Sequence, residues 1–233
     1  PDFCINAAAY TAVDLAEKEE EKAYEVNANG PANIAVACKE HKSVFIHIST
    51  DYVFDGETEI SYDEENFTNP QSIYGKSKLQ GEIVALENNP KSIIIRTSWL
   101  YSEFNKNFVK TMLNLFQDRD ELNVVSDQFG QPTNANDLAE VIMEIIEFKH
   151  KKYGIYHFSN YPETNWSNFA QKIAEFSNAG IKINAITTAE YPTPAKRPIR
   201  STMDLSKIEK DYQIDLKHWE NSLEECLEIL NLN

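Results

Sequence analysis

Val44-Phe45-Ile46-His47-Ile48-Ser49-Thr50-Asp51-Tyr52 is an apolar run that ends in hydroxyl groups. Through Ile48 it is apolar or aromatic on both sides of a two-residue period. That is the pattern of a strand covered on both faces, as in a parallel sheet with helices above and below. Ser49 and Thr50 then fall at the strand's carboxyl end, where open α/β sheets bind their ligands.

The flanking sequence keeps the same rhythm. Short apolar or β-branched runs at 3–7, 92–97, 122–125, 155–158 and 183–186 alternate with helical patterns at 13–27, 31–40, 72–87, 106–118, 135–148, 168–177 and 218–230. Pro31 after Gly30 suits a first helical turn, Asn134 an N-cap, and Gly180 the position just past a helix end. The expected fold is α/β with a mostly parallel sheet. Beyond residue 150 the loop Tyr191-Pro192-Thr193-Pro194-Ala195-Lys196-Arg197-Pro198 carries prolines and cations, which predicts a stiff, ordered excursion. The chain is therefore expected to divide into a cofactor-binding domain at 1–150, holding the catalytic residues, and a smaller substrate-binding lobe, mainly 151–233. Elements are interleaved between the two.

Composition narrows the function. The chain has 233 residues, with 22 basic against 37 acidic side chains for a formal net charge of −15, and 42% hydrophobic residues support a real core. Its small basic clusters do not outweigh that charge, so nucleic acid is not expected as a partner. No apolar stretch approaches the ~20 residues of a membrane span. Cys4, Cys38 and Cys226 are too scattered for a zinc signature or a disulfide framework, and read as buried thiols of a cytoplasmic protein. The five histidines form no metal-binding spacing, so no metal site is read from them. The seven glycines never form G-x-G-x-x-G. Because the chain opens in an apolar run, Phe3-Cys4-Ile5, without Met, the expectation is that it begins inside a longer protein, with a phosphate-binding glycine turn upstream.

Tyr74-Gly75-Lys76-Ser77-Lys78 places Tyr74 and Lys78 four apart at the start of a helix, on one side of it. An ammonium beside a phenol favours the phenolate and makes the phenol a better proton donor, as carbonyl reduction requires. About one Tyr-x-x-x-Lys match is expected by chance in a chain of this composition. Thr50 at a strand end, 24 positions before Tyr74, makes the pair more specific, because its hydroxyl can converge with the phenol on one carbonyl oxygen.

Five ordered motifs carry a family resemblance: Asn6-Ala7-Ala8-Ala9-Tyr10-Thr11, Ser49-Thr50-Asp51-Tyr52-Val53-Phe54-Asp55-Gly56, Tyr74-Gly75-Lys76-Ser77-Lys78, Arg96-Thr97-Ser98-Trp99 and Asp127-Gln128-Phe129-Gly130-Gln131-Pro132-Thr133. Together they resemble the extended short-chain dehydrogenase/reductases, most nearly the dTDP-4-dehydrorhamnose reductase family. The resemblance implies a Rossmann-type, doubly wound, mostly parallel sheet with a smaller C-terminal substrate-binding lobe. It implies NADPH or NADH as cofactor and reduction of the C4 ketone of dTDP-4-dehydro-L-rhamnose to dTDP-L-rhamnose, a step of cell-surface polysaccharide biosynthesis. It departs in the absent amino-terminal glycine-rich segment.

Carried over by resemblance, Thr50, Tyr74 and Lys78 are the catalytic hydroxyl, proton donor and ribose-binding cation. Asn6, Ala7, Ala8, Ala9, Asn27, Ser49, Thr97 and Trp99 join Tyr74 and Lys78 along the cofactor. Thr11, Val13, Thr50, Tyr52, Tyr74, Trp99 and Arg197 face the nucleotide-sugar substrate. Lys196 and Arg200 are further candidates for its diphosphate, and Asn105, Asn107 and Gln128 are polar candidates that serve equally as caps. A carboxylate-bound magnesium, a feature of some family members, is an expectation for the acidic run Glu17-Lys18-Glu19-Glu20-Glu21-Lys22, which by itself reads as a solvated helix face. A homodimer is a further expectation. Two other readings stay open: a different nucleotide-sugar reductase or epimerase, which shares the Tyr/Lys pair, and a non-catalytic regulatory subunit of the same fold. Tyr52 stands where dehydratases of the superfamily carry an extra acid.

Overall fold

A computed structural model describes residues 1–232 and the side chains through 230. The chain begins with β1 (Phe3–Asn6), α1 (Val13–Ala16), α2 (Glu20–Tyr24), α3 (Gly30–Glu40), β2 (Val44–Thr50) and α4 (Ile73–Asn88). It continues through β3 (Ser92–Thr97), β4 (Leu100–Tyr101), α5 (Phe108–Asp118), β5 (Glu121–Val125), β6 (Phe129–Gly130), β7 (Thr133–Asn134) and α6 (Ala135–Glu147). The last elements are β8 (Gly154–His157), β9 (Thr164–Asn165), α7 (Trp166–Phe176), β10 (Lys182–Ile186), α8 (Ser206–Tyr212) and α9 (Trp219–Leu232).

The main sheet has the order β1-β2-β3-β8, every neighbour parallel. Alternation along the strands divides its two faces. Phe45 and Ile94 turn toward α3 and α4, packing with Ala35, Cys38 and Ala85. Val44, Ile46, Ile93 and Ile95 turn the other way, onto Leu138, Val141, Ile142 and Ile145 of α6 and Ile208 and Tyr212 of α8. All six residues of β3 are buried, which makes it the centre of a doubly wound sheet.

A second core gathers Val109 and Met112 of α5, Leu122 and Val124 of β5, Phe169 and Ile173 of α7, and Trp219 and Leu223 of α9. Here β5 pairs in parallel with β10, bringing 121–125 beside 182–186. Residues on both sides of position 150 thus build each core, since β8 at 154–157 completes the main sheet.

Local expectations need correction at three places. The helix anticipated at 13–27 is three pieces: α1, α2 and a π-helical turn at Glu25–Asn29. Asn27 anchors the last piece: its buried side chain accepts from Tyr10 N and donates to Tyr10 O. Gly180 does not end α7; Asn178 takes the left-handed conformation there, at φ 54°. Cys4 is partly exposed rather than buried. It packs beside Cys38, and the contact adds to the burial that pushes the Cys38 thiol up to about 11.

Candidate active site

Parallel pairing brings the carboxyl ends of β1, β2 and β3 to one edge of the sheet. Thr50 of β2 is opposite Thr97 of β3, and Asn6 of β1 is opposite His47 of β2. Most sequence-predicted residues gather along this edge.

Thr50 caps the short turn that follows β2: its Oγ1 accepts from Tyr52 N at 3.2 Å and donates to Asp51 Oδ1 at 3.1 Å. Opposite this turn, Ser72 caps α4 by accepting from Gly75 N at 3.1 Å. Gly75 is obligatory there, because an added Cβ would lie 2.3 Å from Tyr52 O. That close approach delivers the first turn of α4 to the strand end. The Tyr52 and Tyr74 rings meet edge to face, 5.5 Å between centroids.

Lys78 follows one turn later, 2% exposed, and donates from Nζ to Ile48 O at 2.6 Å. Burial pushes its ammonium down to about 8, against the opposing pull of Glu82. Tyr74 does not acquire the acidity that the Tyr/Lys spacing predicts. Burial pushes its phenol up to about 12, although its hydrogen bond with Thr50 pulls the other way. Desolvation dominates here, with Lys78 Nζ committed to a backbone carbonyl.

The next turn of α4 carries Glu82, at 1% exposure, which the sequence reading did not single out. Its carboxylate accepts from Ser49 Oγ and from both Nε and NH2 of Arg96, whose NH2 lies at 2.7 Å. Glu82 was findable, since Tyr74, Lys78 and Glu82 repeat every four residues on one helix face.

At the end of β1, Asn6 Oδ1 accepts from Ala8 N at 3.1 Å and its Nδ2 meets His47 Nδ1 at 3.0 Å. This turn leaves Ala7 and Ala8 exposed, with Thr11 exposed and Val13 half-buried beyond. Asn27 is not directed at Lys78: its Nδ2 donates to Ser77 Oγ at 3.0 Å as well as to Tyr10 O. Beyond β3, Thr97 Oγ1 donates to Thr133 Oγ1 at 3.1 Å, and Trp99 turns back with φ 47°. The Trp99 indole stacks on Trp166, 3.6 Å between centroids, with Gly130 against its other edge.

The proline-bearing loop reaches this edge through Arg197, which forks onto Asp14 of α1 at 3.0 and 2.8 Å. The guanidinium holds the Asp14 carboxyl below its ordinary range. Lys196 pairs with Glu57, and Arg200 with Glu163 and the face of Phe129. Asn107 caps α5, Asn105 takes a left-handed turn and Gln128 donates to Thr188. The acidic run is occupied in ordinary contacts: Glu17 accepts from Ile73 N, and Glu19 from Tyr10 and Lys22. Among the described residues no group of three or more His, Cys, Asp or Glu could hold a metal ion, so magnesium gains no support.

This edge fits a nicotinamide ribose. Among the described residues Lys78 Nζ has one acceptor, which leaves two of its three donors for hydroxyl groups, and the small exposed side chains of Ala7 and Ala8 leave a ligand room beside them.

Known proteins share this sequence and fold. The RmlD substrate binding domain model matches residues 1–232. A dTDP-4-dehydrorhamnose reductase of Aggregatibacter actinomycetemcomitans is 47% identical over 96% of this chain and 79% of its own. The spore coat polysaccharide biosynthesis protein SpsK of Bacillus subtilis is 42% identical over 98% of this chain and 79% of its own. A crystal structure of dTDP-4-dehydrorhamnose reductase from Bacillus anthracis in complex with NADP superposes with a TM-score of 0.95 at 40% identity, covering 98% of this chain and 81% of that one. Matched along its length in sequence and in backbone, the chain belongs to the RmlD substrate-binding family, within the extended short-chain dehydrogenase/reductases.

Proposed function

We propose that this chain reduces the C4 ketone of dTDP-4-dehydro-L-rhamnose to dTDP-L-rhamnose with NADPH or NADH, in the synthesis of a cell-surface polysaccharide. The observation that carries the reading is the joining of Thr50, Tyr74 and Lys78 at one strand end: Thr50 caps the turn whose Tyr52 ring meets the Tyr74 ring, and Lys78 Nζ donates to Ile48 O of the same strand. Relatives at 40–47% identity that bear the reductase name support it.

Reduced nicotinamide, when bound, supplies the hydride. Lys78 holds the ribose, and the segments Asn6 to Ala9 and Thr97 to Trp99 flank the cofactor. Thr50 and Tyr74 meet the ketone oxygen, and Tyr74 gives its proton as the alkoxide develops. A phenol near 12 is matched to an alkoxide better than one near neutrality would be, and it stays protonated until the oxygen takes on charge. Thr11, Val13, Tyr52 and Trp99 wall the sugar, and Arg197 meets the diphosphate. The second core, with the loop that carries Arg197, serves as the substrate-binding lobe. The free thiols suit the cytoplasm, and a homodimer is the assembly to look for by sedimentation.

The test is oxidation of NADPH and of NADH by the full-length protein with dTDP-4-dehydro-L-rhamnose, with the product identified by NMR. Turnover to dTDP-L-rhamnose that falls roughly 10²- to 10⁴-fold in Tyr74→Phe is expected. Cofactor binding without turnover would favour the regulatory subunit, and inversion at a sugar carbon without net cofactor oxidation would favour an epimerase.

A further inference from the structure

Asp51 sits beside the catalytic hydroxyl and has no part in the mechanism above. It is 2% exposed; its Oδ1 accepts from Thr50 Oγ1 at 3.1 Å, and its Oδ2 is enclosed without a hydrogen-bond partner. A buried carboxylate with an unsatisfied oxygen is costly unless it does something that a neutral side chain cannot.

Thr50 has one proton to give. With Asp51 ionised, a carboxylate can only accept, so that proton goes to Oδ1 and Thr50 has none left to give to Tyr74 or to a substrate oxygen. This polarity opposes reduction, in which the ketone oxygen needs donors. Protonating Asp51 reverses it: the carboxyl O–H gives to Thr50, and the Thr50 proton is freed to point into the site.

Resting on the reductase reading, we propose that Asp51 acts through Thr50 as the proton reservoir of the reaction. The Asp51 O–H bond breaks as Thr50 Oγ1 takes its proton, the Thr50 O–H bond breaks as Tyr74 Oη is reprotonated, and Tyr74 has given its own proton to the sugar oxygen. The ketone gains a hydride at C4 and a proton at O4; the nicotinamide is oxidised. Asp51 is left as a carboxylate, to be reprotonated from water before the next turnover.

The surroundings hold the carboxyl in a useful range. Burial raises it to about 6, while the neighbouring Ser201 and Thr50 hydroxyls draw it down. Facing it are Tyr52 on its own turn, Tyr74 on α4 and Ser201 on the segment after the proline loop; Arg197 acts on Tyr52.

The experiment measures kcat and KM of the full-length enzyme from about pH 5 to about pH 9 for wild type, Asp51→Asn and Ser201→Ala, with thermal unfolding of each variant as a check on folding. Wild-type kcat is expected to fall as pH rises through the Asp51 pKa. Asp51→Asn should lose about 10- to 100-fold in kcat, keep the cofactor KM and lose that limb. Ser201→Ala, which removes an interaction that lowers the pKa, should move the limb to higher pH and decides the matter if Asp51→Asn does not fold. A folded Asp51→Asn with wild-type kcat and the same limb, or a limb that Ser201→Ala leaves in place, overturns the relay alone. A wild type that never turns over the sugar overturns the reductase reading and the relay with it.

Discussion

The Arg96 guanidinium and the Glu82 carboxylate meet at 2.7 Å with side-chain exposures of 2% and 1%, locking the central strand β3 to the helix that carries Tyr74 and Lys78. Removing one partner strands the other as a buried charge. Arg96→Met should therefore cost about 3–5 kcal/mol in urea unfolding, whereas the double variant Arg96→Met, Glu82→Leu should recover most of it. A double variant as unstable as the single would show that the apolar pair does not pack in that space.

Asp51 makes stability depend on pH with a definite sign. Its carboxyl titrates near 6 in the fold and at an ordinary 3.8 when unfolded, so its favourable contribution is complete below 3.8 and lost as pH rises through 6. Asp51→Asn carries no such loss. Between about pH 4 and pH 7 the unfolding free energy of the variant relative to wild type should shift in the variant's favour by about 3 kcal/mol. A difference that does not vary with pH would remove this account of the buried carboxyl.

Gly130 leaves room for the tryptophan stack. A methyl there would stand 2.8 to 2.9 Å from three atoms of the Trp99 indole. Gly130→Ala should displace Trp99 from Trp166 and raise the KM for the nucleotide sugar several-fold, with cofactor affinity by fluorescence titration unchanged. Equal losses in both affinities would mean that the indole supports the whole edge rather than the sugar wall.

Arg197 is held in a fork by Asp14 before any substrate arrives. Arg197→Gln should raise the KM for the nucleotide sugar about tenfold, and Arg197→Lys, which keeps the charge but not the fork, should fall between. If Arg197→Lys binds like wild type, charge alone is what the site reads; if it binds no better than Arg197→Gln, the fork is.

The main sheet was legible because its strands are apolar on both faces and its site residues follow strand ends in chain order. Thr50, Tyr74 and Lys78 were readable from spacing, since one strand terminus and one helix face suffice to join them. Long-range pairing was not: 122–125 and 183–186 read as strands of one sheet, yet they form a separate pair whose register depends on the second core. The break at 13–29 was hidden as well, because no breaker residue marks it and the bond that anchors Asn27 to Tyr10 joins residues 17 positions apart. Asp51 stood in plain view inside a quoted motif. Only the enclosure of its Oδ2 distinguishes it from an ordinary turn aspartate.

The contact between Asp14 and Arg197 spans 183 positions of the chain. On a ribosome, the first four helices and the strands around them emerge long before the residue that closes this fork. A nascent chain can thus form the Thr50, Tyr74 and Lys78 edge while the sugar side stays open, and the fork closes only when the last segments leave the tunnel. On the proposed role of Arg197, assembly order alone would then keep a half-made enzyme from gripping its nucleotide sugar.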